Sequence, residues 1–130
     1  MVWLKNRFRY AWAGIRYGFL KDKSIRLQCI LGCLAMLASA FFHISLHDWL
    51  WIGLAITLVI VAEIFNSCIE KTIDYISLER NPKAGVIKDM AAGAVLVASL
   101  FALAVALIIL FPPFLSWVSD SFTLLNNTAI

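Results

Sequence analysis

Trp49-Leu50-Trp51-Ile52-Gly53-Leu54-Ala55-Ile56-Thr57-Leu58-Val59-Ile60-Val61-Ala62 is uncharged, and it runs without a break into Glu63-Ile64-Phe65-Asn66-Ser67-Cys68-Ile69-Glu70-Lys71-Thr72-Ile73-Asp74. The first half alone is 14 residues. A membrane helix needs about 20 mostly apolar residues, so the span has to continue past Glu63 to about Cys68. That requirement puts a carboxylate close to one edge of the bilayer.

The runs on either side settle the class. Leu27 to His47 carries no Lys, Arg, Asp or Glu, and Met90 to Ser119 gives 30 more uncharged residues. The chain of 130 residues is 62% hydrophobic and 15% charged, with mean hydropathy +0.87. Soluble domains are about a quarter charged, so a water-soluble domain, a disordered chain and a disulfide scaffold are excluded. The reading is an all-α membrane protein with spans at about 26–44, 48–79 and 86–111. Pro112-Pro113 is expected to end the third span, and residues 113–130 to form a tail. A cleaved signal peptide does not fit, because the first apolar run starts late and has membrane-helix length.

Charge placement gives the orientation. The chain has 11 Lys and Arg and a net charge of +3. Seven precede the first span, from Lys5 to Arg26, and the remaining four are Lys71, Arg80, Lys83 and Lys88. By the positive-inside rule the N-terminus and the 71–88 loop are cytoplasmic, and the His43–Asp48 turn and the tail lie outside. Basic residues that bracket spans do not describe a nucleic-acid-binding face.

Residues 2–19 have a different pattern. Trp3, Leu4, Phe8, Ala11, Trp12, Ile15 and Phe19 follow helical spacing, while Lys5, Arg9 and Arg16 fall largely on other faces. This predicts an amphipathic helix in the membrane interface. A plain basic flank of the first span is the alternative.

Glu63, Asn66, Glu70 and Asp74 are separated by 3, 4 and 4 residues. At about 100° per residue they share an arc of roughly 80° on one helix face. A charge at membrane depth costs roughly 2.5–3.5 kcal/mol on insertion scales, so such a residue marks a functional site by default. The other spans offer no intramembrane Lys or Arg. The expected counter-charges are metal ions, Lys88 or the basic N-terminal segment. Two other readings remain open: acids solvated outside the bilayer, or Glu63 as a packed, protonated side chain. Glu79-Arg80-Asn81-Pro82-Lys83-Ala84-Gly85 reads as a cytoplasmic loop. Lys88 beyond it suits either a phosphate or snorkelling at the membrane edge. Ala94, Ala98, Ala102 and Ala106 make a small-residue ridge for helix packing. Cys29, Cys33 and Cys68 have no accompanying His and read as apolar fillers. Neither GxxxxGK[ST] nor GxGxxG occurs.

The stretch Glu63 to Asp74, followed by Lys88-Asp89-Met90-Ala91-Ala92-Gly93-Ala94-Val95, closely resembles the signature of the small bacterial integral-membrane lipid kinases. That family contains prokaryotic diacylglycerol kinase and the undecaprenol kinases. The resemblance runs from about Tyr10 to Pro112. It implies a homotrimer with an amphipathic surface helix, here 2–19, in a single kinase domain over 1–112; it gives no role to the tail at 113–130, which charge placement alone puts outside the cell. It implies transfer of the γ-phosphoryl group of MgATP to a lipid hydroxyl at the cytoplasmic face of the bacterial cell membrane, with Mg²⁺ as the metal and no nucleic acid as partner.

Residue by residue, the resemblance makes Glu63 the catalytic base and Asp22 and Glu70 the metal carboxylates. It places Tyr10, Asp22, Glu70, Glu79, Arg80, Asn81, Lys88 and Asp89 around ATP, and makes Asn66 and Asp74 further polar site positions. Asp22 is a departure, since the family usually has Glu there. Ala91-Ala92-Gly93 is more like the undecaprenol kinases than the diacylglycerol kinases, which makes undecaprenol the expected acceptor, with diacylglycerol the alternative. From the residues alone, a proton or ion carrier built on the acidic stripe stays open as a non-enzymatic function.

Overall fold

A computed structural model describes residues 2–76 and 81–128, with side chains to 124. It is all-helical over these residues: α1 Val2–Lys21, α2 Lys23–Phe41, α3 Leu46–Ile76 and α4 Pro82–Thr128. Three helices are long and apolar enough to cross a membrane, Lys23–Phe41, Leu46–Ile76 and Pro82–Leu124. The three expected spans and the N-terminal helix are therefore present. Their ends differ from the sequence reading for local reasons.

The first span starts three residues earlier than expected because Asp22 caps it. Asp22 is extended (φ −107°, ψ 122°), and its Oδ1 accepts from the backbone N–H groups of Ser24 (3.0 Å) and Ile25 (3.4 Å). A carboxylate in that position satisfies donors that the helix leaves orphaned. The span ends at Phe41 rather than 44. The His43 N–H bonds back to Ala40 O and the Ile44 N–H to Ser39 O, the pair of bonds of a Schellman stop. His43 occupies the left-handed position with φ 51°, where Gly is the usual residue.

α3 opens on a reciprocal cap. Ser45 Oγ accepts the Asp48 N–H at 3.1 Å and donates to Asp48 Oδ2 at 2.7 Å, a serine N-cap held in place by the carboxylate of the residue it caps. α4 starts at Pro82, so Pro82–Gly85 is helix where a loop was expected. Asn81 Oδ1 caps it by accepting from the Lys83 N–H at 2.9 Å, and Pro at the first helical position gives up only a donor that has no partner there.

The expectation that Pro112-Pro113 would end the third helix is not met: both prolines lie inside α4, which continues to Thr128. The pair removes two backbone N–H donors, those that would bond the carbonyls of Ile108 and Ile109. The helix continues on both sides of the pair, and Ser116 Oγ donates to Pro112 O at 3.2 Å. Continuing the helix leaves two carbonyls short, whereas ending it there would expose a whole turn of them at the membrane.

α3 is the central helix. Its buried residues are Ile52, Ala55, Val59, Glu63, Asn66 and Ser67, one continuous face along the helix. Ile52 and Ala55 form the apolar core with Val105 of α4, flanked by Ile44, Ile56, Ala102, Ile109 and Leu110. α2 packs on the other side, where Gly32 admits Ile56: a Cβ at Gly32 would sit 2.9 Å from Ile56 Cγ2. α1 meets the start of α2, with Gly18 against Ile25, and buries none of its own residues. Of the alanine ridge, Ala98, Ala102 and Ala106 are half-buried and Ala94 is exposed.

Candidate functional site

The buried face of α3 changes chemistry at one point. Ile52, Ala55 and Val59 are apolar; the next residues on the same face, Glu63 and Asn66, are polar and still buried. Glu63 is only 5% exposed, so it is neither lipid-facing nor solvated. Helix periodicity places Glu70 below it, about 10 Å along the axis at 1.5 Å per residue. Glu70 is half-buried and Asp74 exposed, so the stripe runs from interior to surface in about three turns.

α2 brings the second acid. Asp22 Oδ2 accepts from Ser67 Oγ and from Lys71 Nζ, both at 2.8 Å. The Asp22 side chain is 14% exposed while Lys71 is 51% exposed. The Lys71 ammonium holds the Asp22 carboxyl well below the usual carboxylate range, at about 2; the Ser67 and Ile25 donors act in the same direction and partial burial against it. On the other flank, Asn66 Nδ2 donates to Glu70 Oε1 at 3.1 Å. Neighbouring residues of α3 therefore hold the two candidate metal carboxylates, Ser67 for Asp22 and Asn66 for Glu70. The Glu63 carboxyl lies in the field of both acids, with Ser24 beside it.

At the exposed end of the stripe Lys88 Nζ of α4 donates to Asp74 Oδ1 of α3. The two halves of the sequence motif thus meet in one chain. Asp89 is exposed. Tyr10 lies on the exposed face of α1, paired with Arg9 through a 3.4 Å hydrogen bond and a ring contact at 5.2 Å. Asn81 is the α4 cap. Glu79 and Arg80 lie outside the described residues.

The arrangement includes residues that the sequence reading did not select. Ser67 and Lys71 were within the quoted motif but lie off the acidic arc, on the side that faces α2. Lys88, one of the counter-charges expected for the stripe, pairs with Asp74, while Asp22, which is not part of the stripe, has Lys71 of the central helix as its counter-charge. A helical wheel would have shown that the two share a face; only the packing of α2 shows that Asp22 meets it.

Among the described residues no three His, Cys, Asp or Glu side chains converge on a point. Mg²⁺ does not need them, since it commonly takes one or two carboxylates and completes its shell with waters and substrate phosphates. The donor set here suits it: two carboxylates, and the buried Asn66 Oδ1, which has no hydrogen-bond partner among the described residues.

Beyond Val59, towards the far end of the bundle, an apolar cleft of about 480 Å³ opens between α2 and α4, floored by α3. Ile52, Ile56 and Val59 line it with Leu31 and Leu103; Gln28 and Ser99 are its polar side chains.

Residues 9–110 match the family model described as prokaryotic diacylglycerol kinase. Among curated proteins, the chain is 34% identical over 110 residues to a diacylglycerol kinase of Synechocystis sp., covering 84% of this chain and 63% of that protein. It is 29% identical over 105 residues to the diacylglycerol kinase of Escherichia coli K12, covering 81% of this chain and 86% of that one. It is also 29% identical over 105 residues to the undecaprenol kinase of Bacillus subtilis 168, covering 81% and 85%. The match to the Synechocystis protein therefore spans less than two thirds of that relative's length.

Proposed function

The chain belongs to the prokaryotic diacylglycerol kinase family, a family of lipid kinases, and from that premise we propose that it transfers the γ-phosphoryl group of ATP to the hydroxyl of a membrane lipid alcohol. The observation that carries this reading is the buried Glu63, set where the α3 face turns from apolar to polar. A lipid hydroxyl can reach that level while its chains remain in hydrocarbon, and the apolar cleft beyond Val59 offers a surface on which part of a chain can lie.

Phosphoryl transfer asks the protein mainly for positioning and electrostatics. Glu63 accepts the proton of the lipid hydroxyl as its oxygen bonds to the γ-phosphorus and ADP departs. Asp22 and Glu70 would hold Mg²⁺, which when bound neutralises charge on the phosphate oxygens. Asn66 fixes Glu70, and Ser67 and Lys71 fix Asp22. Lys88, freed from Asp74 when phosphate arrives, serves as a cation for the nucleotide, with Asp89, Asn81, Glu79, Arg80 and Tyr10 around it. The aqueous end of the stripe thus takes ATP and the buried end the lipid.

The membrane is the bacterial cytoplasmic membrane, with the N-terminus and the 71–88 stretch inside and residues 113–130 outside. A homotrimer is the proposed assembly. One chain buries few residues, and α1 none, which leaves extensive apolar surface for partner copies and lipid. A mass measurement in mild detergent tests it: a trimer is expected, and an active monomer refutes it.

Undecaprenol is the proposed acceptor, on Ala91-Ala92-Gly93. Diacylglycerol is the second reading, favoured by the names of the Synechocystis and Escherichia coli relatives. The test is a micelle assay with γ-labelled ATP and Mg²⁺ against a panel of lipid alcohols. Label in undecaprenol is expected, label in diacylglycerol alone selects the second reading, and no label in any lipid overturns the function.

A further inference from the structure

The family match stops at residue 110, yet α4 continues to Thr128. Pro112 lies 24 residues beyond Lys88, about 36 Å along a helix, whereas the hydrocarbon layer is about 30 Å thick. With Lys88 at one membrane edge, Pro112 is at the other, and the residues after it have left the hydrocarbon. They are not polar all round. At 100° per residue, Phe114, Leu115, Trp117, Val118 and Phe122 fall within an arc of roughly 160°, and Ser116, Ser119, Asp120 and Thr123 within roughly 100° on the opposite side. Phe114, Leu115, Trp117 and Phe122 are each close to half exposed or more.

Ser121 is the polar residue within the apolar arc, and its hydroxyl is turned back to Trp117 O at 2.8 Å. The Trp117 ring meets Phe41, the last residue of α2, edge to face at 6.0 Å, and lies 6.4 Å from Phe114. Because α2 ends at Phe41, that contact fixes Trp117 at the depth where spans end, which is the headgroup level that Trp favours. Pro112 and Pro113 have already removed two backbone hydrogen bonds, so the helix bends there at low cost.

We propose that residues 114–124 form an amphipathic helix that docks on the lipid surface at the membrane face opposite Lys88, its Phe-Leu-Trp-Val face towards the acyl chains and its Ser-Asp-Thr face towards water. Which leaflet this is follows from the topology proposed above; the depth does not depend on it. The continuity of this segment with a membrane span, and its depth beside Phe41, select lipid as the occupant over a soluble protein or a free stalk.

The test is a spin-label scan in nanodiscs. Leu115→Cys, Ser116→Cys, Val118→Cys, Ser119→Cys, Phe122→Cys and Thr123→Cys are made singly in a chain whose Cys29, Cys33 and Cys68 are Ala. Oxygen and aqueous nickel accessibilities are expected to oscillate with a period of about 3.6 residues, half a turn out of phase, with oxygen maxima at 115, 118 and 122. High nickel accessibility at every position would mean a solvated segment and overturn the proposal. Exclusion of both probes from 115, 118 and 122 would mean protein packing and do the same. If the cysteine-free chain does not fold, backbone hydrogen exchange of the unaltered protein in nanodiscs decides: protection through 114–124 that disappears when the bilayer is exchanged for short-chain detergent is expected. Rapid exchange in the bilayer, or protection that is indifferent to it, overturns the proposal.

Discussion

Asp22→Ala and Asp22→Asn separate two jobs that one carboxylate performs. Asp22 caps α2 through the Ser24 and Ile25 N–H groups and accepts from Ser67 and Lys71. Ala removes all of this. The lost cap costs about 1 kcal/mol, the buried Ser67 hydroxyl left without its acceptor about 1 kcal/mol, and the half-exposed Lys71 pair well under 1 kcal/mol. The sum is about 2–3 kcal/mol. The depression of the Asp22 carboxyl from 3.8 to about 2 counts the charge-dependent share of the same contacts at about 2–3 kcal/mol, using about 1.4 kcal/mol per unit, so the two figures are of the same order. Asn caps as well as Asp and can still accept from Ser67, so Asp22→Asn should cost about 1 kcal/mol.

The assay is unfolding in mixed micelles followed by circular dichroism. The pH dependence has a definite sign. A lowered carboxyl contributes stability that is present above pH 3.8 and is lost as pH falls through about 2. The difference between wild type and Asp22→Asn should therefore shrink over that window. Equal losses for Ala and Asn would refute the cap, and a difference that persists unchanged below pH 2 would refute the ion pair. At neutral pH both variants should also need far more Mg²⁺ for activity, as should Glu70→Ala; an unchanged magnesium titration would remove the carboxylates from metal binding.

Gly32→Ala should destabilise the bundle by about 1–3 kcal/mol, since the added Cβ meets the branched Cγ2 of Ile56 at 2.9 Å, whereas Gly18→Ala meets only the mobile Cδ1 end of Ile25 at 3.0 Å and should cost far less; equal effects in the same unfolding assay would contradict the close approach of α2 to α3. Lys88→Ala should raise the KM for ATP strongly and leave the KM for lipid nearly unchanged, and a change confined to the lipid term would place Lys88 at the wrong end of the stripe.

The helices were legible because periodicity and charge are local properties. The Glu63–Asp74 stripe was legible for the same reason, and burial of Glu63 and Asn66 agrees with a face turned into the bundle. The helix ends were less so. The sequence shows the charge of Asp22 but not its capping role, and Pro112-Pro113 signals a helix stop although the apolar sequence on both sides favours continued backbone pairing. By charge placement Lys71 belongs with the basic residues of the loop, yet it is the ion-pair partner of Asp22 across 49 positions of sequence. No pattern within α3 could supply that, because it depends on where α2 begins. Asn81-Pro82 signalled a boundary correctly, but its meaning, a helix start instead of a loop, depended on the Lys83 N–H that Asn81 accepts.

Glu63 is the residue on which the functional reading stands, and one comparison tests it directly: lipid phosphorylation and nucleotide affinity measured side by side for the wild-type chain and Glu63→Gln. Gln keeps the shape and a hydrogen bond but cannot take the proton of the hydroxyl. The loss of a positioned base typically costs ~10²–10⁴ in rate, so turnover should fall by that order with ATP affinity and assembly retained. Turnover close to wild type in Glu63→Gln would contradict the assignment of the buried carboxylate as the base.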